Sequence, residues 1–115
     1  MFRGRAELRN PETDAKVGVL TERCEDDGTA HLKVELEPAL TLTGTEFLTI
    51  SSTAGELFSV TAKNGGPTEI HEFHSKSPVG CLAAKTEVAL TRSPGGPLGT
   101  LLIVLGRGII HEEHH

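Results

Sequence analysis

The sequence predicts an all-β fold, an antiparallel β-sandwich or small β-barrel of roughly seven to nine strands. Three observations predict it. Apolar residues recur at every second position through most of the chain. Asp27-Gly28 separates two such alternating runs, the strongest short-range signal for a hairpin. Glycine- and proline-rich turns then divide the remainder into short segments at near-regular spacing.

Phe2, Gly4, Ala6 and Leu8 alternate with Arg3, Arg5, Glu7 and Arg9, so 2–9 reads as a strand with one charged face. Asn10-Pro11-Glu12-Thr13-Asp14 is a turn by composition. Segments 17–24 and 29–37 form the opening hairpin. A two-residue loop at Asp27-Gly28 sets Glu22 opposite Lys33, Thr21 opposite Val34 and Val19 opposite Leu36. That register places Cys24, His31, Glu22, Lys33 and Glu35 on one solvated face.

Pro38 ends the run. Leu40 and Leu42, alternating with Thr41 and Thr43, read as a strand, and Phe47, Leu48 and Ile50 as another. In 56–63, Phe58, Val60 and Ala62 alternate with Leu57, Ser59 and Thr61. Asn64-Gly65-Gly66 then turns the chain into 69–74, a hairpin that sets Phe58 against Phe73 and Val60 against His71. Thr53-Ala54-Gly55-Glu56 also fits a helix capping box, so a short helix over 54–63 is the alternative. Gly55, Phe58, Val60 and Thr61 are poor helix formers and favour the strand.

Ser77-Pro78 fits a helix start, with 78–91 as the alternative helix, whereas Val88-Ala89-Leu90-Thr91 suits a strand after an extended lead-in. Either helix would make the class α+β. Pro94-Gly95-Gly96-Pro97 is a turn, and 100–105 is a continuous apolar strand expected to be buried on both faces. Gly106-Arg107-Gly108 reads as a bulge or bend in it. One β-rich domain spans 1–110, and 111–115 reads as a polar His/Glu tail.

At 115 residues the chain holds one core. With four Phe, no Trp and no Tyr, that core is built from Leu, Val and Ile, and few aromatic faces remain for stacking bases, sugars or proline-rich peptides. The net charge of −5 speaks against nucleic acid, because phosphate binding needs clustered Lys and Arg. No apolar run approaches the roughly 20 residues a membrane helix needs, and no secretory leader pattern opens the chain, so the expected compartment is the cytoplasm. There, Cys24 and Cys81 are expected as free thiols, with a long-range bridge as the alternative.

Four constellations could carry chemistry. His111-Glu112-Glu113-His114-His115 satisfies His-Glu-x-x-His, which on a helix puts His111 and His115 on one face to bind zinc. Without a surrounding helix or a third ligand, a solvated tail is the expectation. His71 and His74 point to opposite faces of a strand, so a shared divalent metal would need a bulge. Cys24 opposite His31 would pair a thiol with an imidazole that activates it. Arg3, Arg5 and Arg9 form a basic strip that could meet an acidic protein partner; the plainer reading is an edge strand charged against unwanted pairing.

No set of residues supplies a nucleophile, base and oxyanion site together. The expected function is therefore a non-enzymatic interaction or assembly module that forms homo-oligomers and takes no cofactor. One alternative is a domain binding zinc or another divalent metal through His71, His74, His111 and His115. The other is a binder of a small apolar ligand lined by Phe58, Val60 and Phe73.

Overall fold

The computed structural model describes residues 1–38, 40, 45–63, 72–94 and 103–113. Nine strands run in antiparallel pairs, with no helix among the described residues. They are β1 (Phe2–Arg9), β2 (Lys16–Cys24), β3 (Ala30–Leu36), β4 (Thr45–Ser52), β5 (Gly55–Lys63), β6 (Glu72–Lys76), β7 (Glu87–Pro94), β8 (Ile103–Ile109) and β9 (His111–Glu112). Their order in the sheet is β5-β4-β7-β8-β1-β2-β3-β6, with β9 also paired to β1. The sheet curls into a small, nearly closed barrel. Its two edges meet where Phe58 of β5 and Phe73 of β6 pack edge to face, 6.0 Å between ring centroids.

The two helical alternatives are not realised. Gly55 turns at φ +136° between β4 and β5, and 77–86 is irregular backbone leading into β7. The β5–β6 hairpin is not formed either: β5 pairs with β4 and β6 with β3, so Phe58 and Phe73 meet across the barrel seam rather than along a ladder. The turn at 64–66, His71, the strand expected at 41–43 and the turn at 95–97 lie outside the described residues.

The opening hairpin exists in a different register. Glu25 N–H donates to the Thr29 carbonyl at 2.8 Å, and Gly28 N–H to that of Glu25 at 3.0 Å. Gly28 sits at φ +88°. The loop is therefore three residues closed by a left-handed glycine, not two. Leu20 stands opposite Val34, Glu22 opposite Leu32 and Cys24 opposite Ala30. A one-residue slip exchanges the faces of a strand. Glu22 and Cys24 consequently turn toward the interior, while His31, Lys33 and Glu35 stay outside.

Glycine lets β8 approach β1 closely. A Cβ on Gly108 would lie 2.4 Å from the Glu7 carbonyl oxygen, and one on Gly106 would lie 2.3 Å from Val17 Cγ2. The break in register falls just before them, where Leu90 pairs with Gly106 and Thr91 with Val104, leaving Leu105 as the extra residue. Of the apolar run 100–105, residues 100–102 lie outside the described residues, and in the rest burial on both faces is not observed: Leu105 is buried, but Ile103 is 39 % exposed. The chain beyond Ile110 is not wholly a tail, because Arg5 pairs with His111 and Gly4 with Glu112.

Residues 77–86 form a strap across one end of the barrel. Ser77 N–H donates to Ala30 O at 3.1 Å, and Lys85 N–H to Ile110 O at 2.7 Å, fixing the two ends. Between them Leu82 enters the core at 4 % exposure, and Cys81 is bonded to Cys24.

Candidate functional site

The wall of the barrel has two chemically distinct halves. On β1, β2, β3 and β6 the alternation directs charged side chains outward. The pairing then aligns Arg3, Arg23, His31 and Lys76 in one unbroken cross-strand row. The next row holds Arg5, Thr21, Lys33 and His74, and the one after it Glu7, Val19, Glu35 and Glu72. Arg3, Arg5, Arg23, Lys33 and Lys76 are five of the 11 Lys and Arg in the chain. Like charges directly opposite one another across strands are destabilising, so the first row costs fold stability.

The counter-ions are unevenly placed. Glu25 Oε1 lies 3.2 Å from Arg23 Nε and 3.7 Å from His31 Nε2. Lys33 Nζ reaches Glu35 at 2.7 Å and Glu72 at 3.8 Å. The hydrogen bond between Lys33 and Glu35 raises the ammonium's pKa and lowers the carboxyl's. Arg5 meets Glu113 at 4.0 Å. Arg3 and Lys76 make no ion pair among the described residues. A groove of about 440 Å³ runs beside these rows, lined by Arg3, Arg23, His31, Lys33 and His74 together with Glu22 and Glu113.

On β5, β4, β7 and β8 the outer face is more sparsely charged, with Glu56, Glu87 and Arg107 toward one end of it. Ser59, Thr49, Thr91 and Val104 stand in one row, and Phe47 faces Ser93 in the next. Ser51 and Ala89 lie at the centre of a third row, which ends at Glu56 on one side and Arg107 on the other. Phe47 is 42 % exposed. A wider groove of about 740 Å³ adjoins this face at Ser51, Ser52, Ala89, Arg107 and Ile109.

No protein-family model, curated protein or solved structure matches this chain. Function has to be argued from these two halves and from the residues they gather.

The structure distributes the sequence-derived candidates unevenly. Arg3, Arg5 and Arg9 share the outer face of β1 as expected, but Arg9 is tied to Glu7 at 2.7 Å and to the Asp14 carbonyl at 2.7 Å. The Cys24–His31 pairing is overturned. Arg23, not Cys24, stands opposite His31, and Cys24 is bonded to Cys81, so neither cysteine is a free thiol. His74 and His111 occupy opposite ends of one row, with Arg5, Thr21 and Lys33 between them. His111 is in a strand rather than a helix; His71, His114 and His115 lie outside the described residues. Among the described residues no three His, Cys, Asp or Glu groups converge to hold a metal ion. Phe58 and Phe73 fill each other's space, with Val60 packed against the core beside them.

Glu22 is the functional group that sequence reasoning misplaced. Assigned to a solvated face, it is 3 % exposed among apolar neighbours. Its Oε1 accepts the Leu82 N–H at 2.6 Å, and its buried Oε2 has no partner. Burial pushes its carboxyl pKa up, and the Leu82 hydrogen bond offsets that only in part.

Proposed function

We propose that the protein is a non-enzymatic interaction and assembly module that associates with a second copy of itself through the outer face of β5, β4, β7 and β8. The observation that carries this reading is the asymmetry of charge. One half of the barrel wall holds rows of Arg, Lys and Glu, whereas the row Ser59–Thr49–Thr91–Val104 holds no charge, an exposed Phe47 stands on one side of it, and Glu56 and Arg107 occupy the two ends of the row on its other side. Interface centres are depleted of charge and enriched in aromatic residues, and Phe47 provides the anchor. Its neighbours are short side chains that a facing surface can approach closely. Thr91 Oγ1 already donates to the Thr49 carbonyl at 3.5 Å, so covering this face leaves that hydroxyl satisfied.

A two-fold contact is the simplest closed arrangement for such a patch. Light scattering at tens of micromolar protein is expected to report a dimer, and Phe47→Glu to shift it to monomer with at least a tenfold weaker association. A wild-type protein that stays monomeric under those conditions, or a Phe47→Glu variant that associates as well as wild type, removes the proposal.

A further inference from the structure

We propose that the row Arg3–Arg23–His31–Lys76 docks an extended acidic segment of a partner protein, and that Glu25 is an internal carboxylate which this segment displaces. The row lies on the half of the barrel wall away from the proposed self-association face, so the inference does not depend on it.

Assembling this row costs the fold stability. Three permanent cations and an imidazole stand on four consecutive strands in direct register, in a chain whose net charge is −5. Folding brings them together against their mutual repulsion. The carboxylate that ion-pairs within this row is Glu25, from the β2–β3 loop, which bridges Arg23 and His31. Glu113, whose N–H donates to the Arg3 carbonyl, and Asp27, whose carboxyl Thr29 and, less strongly, the Lys76 charge hold down, lie near its two ends. Arg3 and Lys76, at the row's two ends, are left without an ion pair among the described residues. Glu25 thus marks how a carboxylate sits on this row, and the ends hold cations whose neighbouring carboxylates stop short of an ion pair, leaving them open to an outside one.

Geometry sets the form of the occupant. Four strands about 4.8 Å apart span about 14 Å, which roughly five residues of extended chain cover. Carboxylates on alternate residues of such a segment recur at about 6.6 Å and can reach successive cations along the row. The groove beside the row gives the segment a track from Arg3 through Arg23 to His31, short of Lys76.

Charge also selects the class. The acidic row Glu7–Glu35–Glu72 runs parallel to the cations two rows away and would repel the phosphates of a nucleic acid lying across the face. The outer positions of these rows also present no Phe, Tyr or Trp ring on which bases could stack, only the smaller imidazoles of His31 and His74. A short acidic peptide fits between those limits; a polynucleotide does not.

The test is fluorescence anisotropy with a labelled hexaglutamate peptide, using the intact disulfide-bonded protein. Binding is expected at 20 mM salt, weakening at least tenfold by 200 mM. Arg23→Gln and Lys76→Gln are each expected to weaken it three- to tenfold, whereas Glu25→Gln strengthens it about threefold. Arg107→Gln, on the other half of the wall, should leave it unchanged. Unaltered melting curves will show that these surface variants remain folded. The inference is overturned if hexaglutamate fails to bind at 20 mM salt, if Arg107→Gln weakens binding as much as Arg23→Gln, if Glu25→Gln weakens it, or if a six-nucleotide single strand binds more tightly. Dimerisation, read separately by light scattering, neither rescues nor sinks it.

Discussion

Replacing both cysteines, as Cys24→Ser with Cys81→Ser, is expected to lower the unfolding free energy by about 4 kcal/mol. The two residues are 57 positions apart, and closing a loop of that length removes substantial entropy from the unfolded chain. The same bond holds the middle of the strap. Its ends are fixed by backbone hydrogen bonds with Ala30 and Ile110, and between them Leu82, Val79 packed against the core, the disulfide and the Glu22 carboxylate hold it to the barrel. Loss of the bond therefore acts on both states: the unfolded chain gains freedom, and the strap loses an anchor beside a buried leucine. Urea unfolding checks this directly. Wild type in excess dithiothreitol should fall to the stability of the double variant, and dithiothreitol should not change the variant itself. A loss below about 1 kcal/mol would mean that Leu82 burial and the end bonds already fix the strap.

The strand content was legible because period-2 alternation is strong where one face is buried. Ala6 and Leu8 point in while Arg5, Glu7 and Arg9 point out, as the sequence implied. The hairpin register was not legible from Asp27-Gly28 alone, since that pair serves both a two-residue turn and a three-residue loop ending in left-handed glycine. A second signal was present. Pairing Leu20 with Val34 and Gly18 with Leu36 keeps the apolar sets together, whereas the two-residue loop sets Leu20 against Glu35. What hid it was Glu22, a carboxylate inside the apolar set, which made the wrong register look like a clean charged face. The cationic row was half visible. Alternation gives the outward residues of each strand, but only the order β1-β2-β3-β6 brings Arg3, Arg23, His31 and Lys76 into line, and β6 joins β3 from 36 positions further along the chain. The disulfide and the Phe58–Phe73 seam depend on the same closure of the barrel, which local sequence does not encode.

Glu22→Gln is expected to stabilise the barrel by about 2 kcal/mol at pH 8 and by almost nothing at pH 4. In the folded protein Glu22 faces Leu32 across the strand pair and Gly4 on the other side, with Phe2 and Ile110 closing over Gly4 and Leu82 beneath. No cation is among these neighbours. Ionised, the group carries a charge into apolar surroundings with one oxygen bonded to Leu82 N–H and the other without a partner. Protonated, it keeps the same bond through Oε1 and sheds the charge. Its folded pKa therefore lies above that of the unfolded chain, and the sign follows. The wild type has its full stability below the ordinary carboxylate range and loses this contribution as pH rises through the folded value. Glutamine keeps the acceptor for Leu82 and never ionises, so the variant's stability should not fall over that interval. Asp27 and Glu35 work in the opposite direction, since their lowered pKa values give stability that disappears on acidification, but both are exposed and unchanged by the substitution. Subtracting the two denaturation series, pH by pH, isolates Glu22. A difference that is constant from pH 4 to pH 8, or one that favours wild type at the alkaline end, would show that Glu22 is already solvated through the strap and that Leu82 does not seal this end of the barrel.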